Sequence, residues 1–205
     1  MSPALLVERF DIRSGPKDQR RLALEDFCSI LDLPTSAKYD GTIERMARGL
    51  RPLSTDPAAD LDILFRRAVF AWLIADGDMH LKNLAMLKTA EAGARTFTTV
   101  RFAPLYDAVT TRVFPGLGVD RMAQKLNGKD DRPTRQDFLA LARTIGLTAG
   151  DAEAAMDQIA DRLAKRIPTL SLPAFTRQSE AARSAQDKVI ALVEARCEAL
   201  GGPAE

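Results

Sequence analysis

Residues Asp76-Gly77-Asp78-Met79-His80-Leu81-Lys82-Asn83 break the pattern of the chain around them. Before them runs a long apolar stretch, Leu61 to Ala75, and after them Leu84 to Leu87 has the composition of a buried strand. From Asp78 to Asn83 an acid, the only histidine, a lysine and an asparagine fall within six residues. A packed core has no use for that mixture, because polar groups are costly to bury without partners. A site for metal and phosphate does. A second polar signal, Leu105-Tyr106-Asp107, lies downstream.

The flanks decide how these signals meet. Leu61, Leu64, Phe65, Ala68, Val69, Trp72 and Leu73 recur at helical spacing, so Asp60 to Ala75 reads as the central helix, with Trp72 in its core face. Asn83 to Lys88 and Phe97 to Phe102 read as strands joined across Glu91 to Arg95, a hairpin with a loose loop. A hairpin returns its second strand to the start of its first. Asp107 is thereby drawn towards Asn83, and Asp78 lies just ahead of the first strand. Three oxygen-bearing side chains can converge at one end of the hairpin. Such a set is hard and oxygen-rich, which favours magnesium over zinc and leaves positions for water and substrate phosphates.

Helix dominates elsewhere. Leu22 to Leu31 places Leu24, Phe27, Cys28 and Leu31 on one face, and Thr42 to Leu50 turns Ile43, Met46, Ala47 and Leu50 inward. Thr134 with Asp137, and Thr148 with Asp151, have the spacing of helix caps, and Pro173 is expected to open a last helix reaching about Leu200. Ala4 to Asp11 has strand composition, Arg13 to Asp18 reads as an exposed loop, and Gly116 and Gly118 mark another. The expected fold is mainly α, with a small β-hairpin beside the polar loop and a short N-terminal strand.

Composition narrows the partners. Lys and Arg number 29 against 28 Asp and Glu, a net charge of +1, so no global field draws the chain directly onto nucleic acid or an anionic membrane. Ile63 to Ala75 contains Arg66 and Arg67 and is shorter than the ~20 residues of a membrane span. Met1 to Val7 lacks a basic leader segment and runs into Glu8-Arg9. Cys28 and Cys197 have no metal-ligand spacing and read as free thiols. A cytoplasmic protein is expected.

An acid, an asparagine five residues on, then a hairpin and a second acid is the order that protein kinases use around their metal ions. More specifically, Val7-Glu-Arg-Phe-Asp11, Glu25-Asp-Phe-Cys28, Asp78-Met-His-Leu-Lys-Asn83, Ala103-Pro-Leu-Tyr-Asp107 and Met122-Ala-Gln-Lys-Leu-Asn127 resemble the HipA-type serine/threonine kinases, toxins of bacterial toxin–antitoxin pairs. The resemblance implies a helical kinase C-lobe over residues 13–205 preceded by an interlobe hinge strand over 1–12. It implies ATP and Mg2+ as substrate and cofactor, and transfer to a protein hydroxyl. Asp78 would be the catalytic base, with His80 and Lys82 orienting the loop or neutralising phosphate charge, and Asn83 and Asp107 would hold magnesium. The hinge at Glu8 and Phe10 would contact adenine, with Asp11 near the ribose. Asp76 departs from the family pattern, which often has a small or amide residue two before the base.

The resemblance also sets out what the 205 residues lack. In this family a Gly-rich phosphate lid and a strand lysine precede the hinge, and neither is found before Glu8. The chain is therefore expected to transfer phosphate poorly by itself. Two readings follow: the catalytic lobe of such a kinase, truncated or completed by a separately encoded N-lobe chain, or a non-catalytic HipA-derived module. Either would bind an antitoxin-like DNA-binding protein or the complementary lobe.

Overall fold

The computed structural model describes residues 6–14, 19–117 and 121–201. Helix α3 (Pro57–Leu73) is its axis. It begins one turn earlier than expected, because Asp56 caps it by accepting from Ala59 N at 3.3 Å and Pro57 supplies a preset first residue. Asp60, the expected start, is instead fully buried, accepting from Ser54 Oγ at 2.6 Å and Arg101 Nε at 3.1 Å.

Around α3 pack α2 (Ile43–Leu50), α4 (Arg135–Ile145), α5 (Ala149–Arg166) and α6 (Glu180–Gly201). Phe65 and Phe138 meet edge to face at 6.3 Å in the shared core. Trp72 is buried as expected, and the Arg196 guanidinium stacks on its ring at 3.7 Å while donating to its carbonyl. The Thr134–Asp137 capping box and the Thr148 cap both form. The last helix starts at Glu180, seven residues after Pro173. Pro173 sits in a turn whose carbonyl accepts from both N and Oγ1 of Thr176 at 2.9 Å.

A three-stranded antiparallel sheet covers one end of α3. Its order is β3 (Ala23–Asp26), β4 (Ala85–Thr89), β5 (Thr99–Phe102), with Asp26 opposite Ala85 and Met86 opposite Phe102. The expected hairpin is therefore present, with strands starting two residues later than the sequence suggested. The helix expected over Leu22 to Leu31 is corrected. Ala23 to Asp26 pair with β4 instead, and helix survives only as α1 (Phe27–Ile30), which Asp26 caps by accepting from Ser29 N at 3.1 Å. An open edge of β4 offered these residues a hydrogen-bond ladder that a short helix could not match. Leu24 is 38% exposed as a result.

At the N-terminus, residues 1–5 of the expected strand lie outside those described. Leu6 to Arg9 have no strand pairing, and Phe10-Asp11 form a turn before β1 (Ile12–Ser14). That strand pairs with β2 (Gln19–Arg21), so the expected loop over Arg13 to Asp18 begins inside a strand, and residues 15–18 are not described. A hairpin not expected from the sequence, β6 (Arg121–Leu126) and β7 (Lys129–Asp131), turns at Asn127 and Gly128, both at positive φ. Cys28 and Cys197 are buried and unbridged. Among the described residues no helix is long and apolar enough to cross a membrane.

Candidate active site

The polar loop is built from the way α3 ends. Asp76 N donates to Ala71 O at 2.8 Å and Ala75 N to Trp72 O at 3.0 Å, the bond pair of a Schellman stop. Ala75 takes the left-handed position at φ 57° without being glycine. Thr111 holds it there, donating from both N (3.0 Å) and Oγ1 (3.1 Å) to Ala75 O, while Thr111 Oγ1 accepts from Gly77 N at 3.1 Å. A Cβ on Gly77 would stand 2.6 Å from that hydroxyl oxygen.

Asp78 follows, its N donating to Asp76 Oδ1 at 3.0 Å. Asn83, buried in a single 3-10 turn (Leu81–Asn83), donates from Nδ2 to the Asp78 carbonyl at 2.8 Å. Its own N donates to His80 O at 2.9 Å, so Asp78 and Asn83 share one closed loop. The Asp78 side chain faces a cleft of about 680 Å3 lined by Tyr39, Val109, Phe114, Leu117 and Arg121. Its Oδ1 accepts from the Tyr39 hydroxyl at 2.5 Å.

His80 is buried, with Nε2 4.0 Å from Asp78 Oδ1 and its ring edge-on to Tyr39 at 5.2 Å. Burial, reinforced by the nearby Lys38 charge, pushes its pKa below the ordinary histidine value, so it is neutral at physiological pH. The Lys82 ammonium turns away from Asp78 and pairs with Asp26 Oδ2 at 2.6 Å. It ties the loop to the end of β3.

Asp107 reaches the same region by a separate route. Buried Arg67 of α3 lies over the Phe102 ring at 4.2 Å and donates to Ala103 O, fixing the chain as it leaves β5. Burial lowers its pKa to about 10, so it stays charged. Tyr106 OH then donates to Lys82 O at 2.8 Å, and Asp107 turns outward at φ 54°. The Asp107 charge is felt at both Asp76 and His80. Asp76 itself is 4% exposed, and burial, with the Asp78 and Asp107 charges, raises its pKa to about 6 against the backbone N–H groups that favour its charge.

The residues expected to form the hinge stand apart. Phe10 packs on Tyr106 with ring centroids 5.6 Å apart, which links them to the Asp107 segment. Glu8 is exposed. Asp11 is buried beneath Arg9 (2.9 and 2.6 Å) and Arg21 (3.3 Å), with its pKa drawn down to about 2 chiefly by the Arg9 hydrogen bond. Sequence reasoning gathered Asp78, Asn83 and Asp107 but missed Tyr39, Arg67 and Thr111. Arg67 left a trace, a cation inside the apolar stripe of α3; Tyr39 left none.

The donor set suits a divalent cation. Three carboxylates, Asp76, Asp78 and Asp107, lie close enough that two raise the pKa of the third, a repulsion that a bound cation relieves. Asn83 adds a fixed amide. Among the described residues no group of three His, Cys, Asp or Glu side chains is placed to hold a metal ion unaided, so phosphate oxygens and water would have to complete the shell. A partly open, oxygen-rich site is the kind magnesium occupies together with phosphates.

Comparisons with known proteins identify the family and the fold. The model of the HipA-like C-terminal domain matches residues 1–167. Two proteins of Sinorhizobium fredii are similar: "Putative kinase Y4mE" is 32% identical over 129 residues, and "Putative kinase Y4dM" 32% over 108. Those stretches cover 60% and 53% of this chain but only 29% and 24% of the relatives, so the chain spans under a third of their length. HipA of Shewanella oneidensis, in a complex with HipB and operator DNA, superposes with a TM-score of 0.76 at 20% identity, covering 94% of this chain and 47% of that one. The Helicobacter pylori kinase CtkA shares the fold less closely, at a TM-score of 0.50 and 15% identity over 87% of this chain and 68% of its own. The chain belongs to the HipA-like C-terminal domain family.

Proposed function

We propose that this domain is the base- and metal-holding lobe of a serine/threonine protein kinase that transfers the γ-phosphoryl group of ATP to a protein hydroxyl, as the toxin of a toxin–antitoxin pair. The observation that carries this is Asp78. Its carboxylate faces an open cleft, already accepts a hydroxyl at 2.5 Å, and shares a closed loop with Asn83. As the new O–P bond forms and the bond from Pγ to the ADP oxygen breaks, Asp78 takes the acceptor's proton. Neutral His80 backs that carboxylate without competing for the proton. Asn83 and Asp107 would hold Mg2+, which when bound neutralises charge on the phosphates. Lys82 orients the loop through Asp26. Phe10, resting on Tyr106, and Glu8 form the adenine side of the hinge, with Asp11 and its arginines beside the ribose.

An antitoxin-like DNA-binding protein as partner is supported by the HipA–HipB–operator complex that this fold matches. The phosphate lid and lysine are not among these residues, and a missing clamp group costs several kcal/mol of transition-state stabilisation. The 205 residues alone therefore transfer phosphate slowly or not at all, and a lobe bearing the lid completes them. A second reading, a non-catalytic binding module, draws on Leu6 and Val7, which are 96% and 67% exposed beside the hinge. Calorimetric titration with magnesium and ATP separates the two. Binding that Asp107→Ala weakens supports the kinase lobe; none at millimolar nucleotide favours the module. Fast magnesium-dependent phosphorylation by the isolated chain, abolished in Asp78→Ala, would refute the need for completion.

A further inference from the structure

Tyr39 belongs to no part of that scheme, yet it makes the shortest contact that Asp78 has. It precedes α2 on a loop whose Lys38 carbonyl is pinned by Leu81 N and Gln124 Nε2, each at 3.0 Å. Beyond that anchor the side chain is 47% exposed. Its ring is placed by His80 at 5.2 Å and by the Lys38 ammonium 4.9 Å from its centroid. Its hydroxyl ends on Asp78 Oδ1, inside the cleft walled by Val109, Phe114 and Leu117. The carboxylate raises the phenol to about 12, so Tyr39 remains a donor throughout the physiological range.

We propose that Tyr39 gates the acceptor site: its phenol holds the Asp78 oxygen that takes the acceptor's proton, and a protein segment bearing a hydroxyl residue must displace it. The proposal rests on the kinase reading of Asp78. Three features support displacement rather than permanent support. The phenol is held by a single hydrogen bond, the ring is half exposed, and the adjoining cleft leaves room for it to swing. A hydroxyl already seated on Asp78 also identifies the group the oxygen is placed to receive. The apolar walls then favour aliphatic neighbours on the incoming segment.

The test uses the full chain and two probes, acetyl-Gly-Leu-Ser-Leu-Gly-amide and its alanine counterpart, with binding followed by NMR titration. A charge-assisted hydrogen bond that must be broken before binding weakens affinity by about tenfold. Tyr39→Phe should bind the seryl peptide about tenfold more tightly than the unaltered chain, and the alanyl peptide with unchanged affinity. Trp72 fluorescence in urea should confirm an unaltered fold. Equal gains for both peptides would reduce Tyr39 to a steric obstacle, and no gain, or no binding by either chain, would overturn the gate. A chain that binds magnesium nucleotide without the seryl gain keeps the kinase reading and loses the gate. The seryl gain without nucleotide binding does the reverse.

Discussion

Asp76 makes the stability of this domain fall as pH rises through the acid range. Its pKa is about 6 in the folded chain against 3.8 as the ordinary value. Between those values the unfolded chain has released the proton while the folded chain retains it. Asp76 therefore contributes its full stability below about pH 4, loses it as pH rises to about 6, and contributes no further change above. About two pKa units correspond to roughly 3 kcal/mol at pH 8. Asp76→Asn cannot ionise, and its amide oxygen can still accept from Asp78 N. A second N–H, from Val109, also favours the carboxylate and is less well served by an amide, at a cost of about 1 kcal/mol.

The expected outcome is a difference curve. Variant and unaltered chain should be within about 1 kcal/mol at pH 4, with the variant more stable by about 2 kcal/mol at pH 8. Urea titrations followed by the single tryptophan, Trp72, measure both. Asp11, Glu25 and Asp137 have lowered pKa values and pull stability the other way, but they are common to both chains and cancel in the difference. Magnesium should shrink the gap at pH 8, because a divalent charge near Asp78 and Asp107 favours ionised Asp76. A difference that stays flat from pH 4 to pH 8 would refute the burial and repulsion assigned to Asp76.

Three further outcomes follow from the loop's construction. Gly77→Ala drives a methyl into Thr111 Oγ1, so it should lower stability by about 1–3 kcal/mol in urea unfolding and weaken magnesium binding. Tyr106→Phe removes the donor to Lys82 O and should cost about 1 kcal/mol, unchanged between pH 6 and pH 9 since the phenol's pKa is about 12. Lys82→Ala breaks a partly exposed pair with Asp26 and should change the unfolding free energy by less than about 1 kcal/mol. Loss of several kcal/mol in that last variant would show Lys82 holding more than the end of β3.

How much of this was legible depended on the range of the interaction. Asp78, Asn83 and Asp107 could be gathered because a hairpin fixes where its ends meet, and the helix from α3 to the loop has a strong 3.6-residue period. Ala23 to Asp26 could not be read correctly, since their local spacing fits a helix and only the edge of β4, some 60 residues on, makes them a strand. The β6–β7 hairpin carried a readable signal in Asn127-Gly128, but its flanks, Lys125, Lys129 and Asp130, lack the apolar alternation that would have raised it. Tyr39 sits in a turn before α2 and reaches Asp78, 39 positions further on beyond α2 and α3, and no periodicity encodes such a contact.

The charges around Asp78 are arranged so that the loop is held from its flanks. Three cations around the site are engaged: Lys82 with Asp26, Lys38 over the Tyr39 ring, and Arg121 with Asp130 at 3.6 Å. His80 is kept neutral. Asp76, Asp78 and Asp107 lie within electrostatic reach of one another, and Asp76, the most buried, holds its proton to about pH 6, chiefly through burial and secondarily through the other two charges. A lysine turned inward would remove that repulsion and strengthen the fold, but it would also compete with a metal for the same carboxylates. Anchoring Lys82 outward leaves the loop's shape to Asn83, Thr111 and Tyr106.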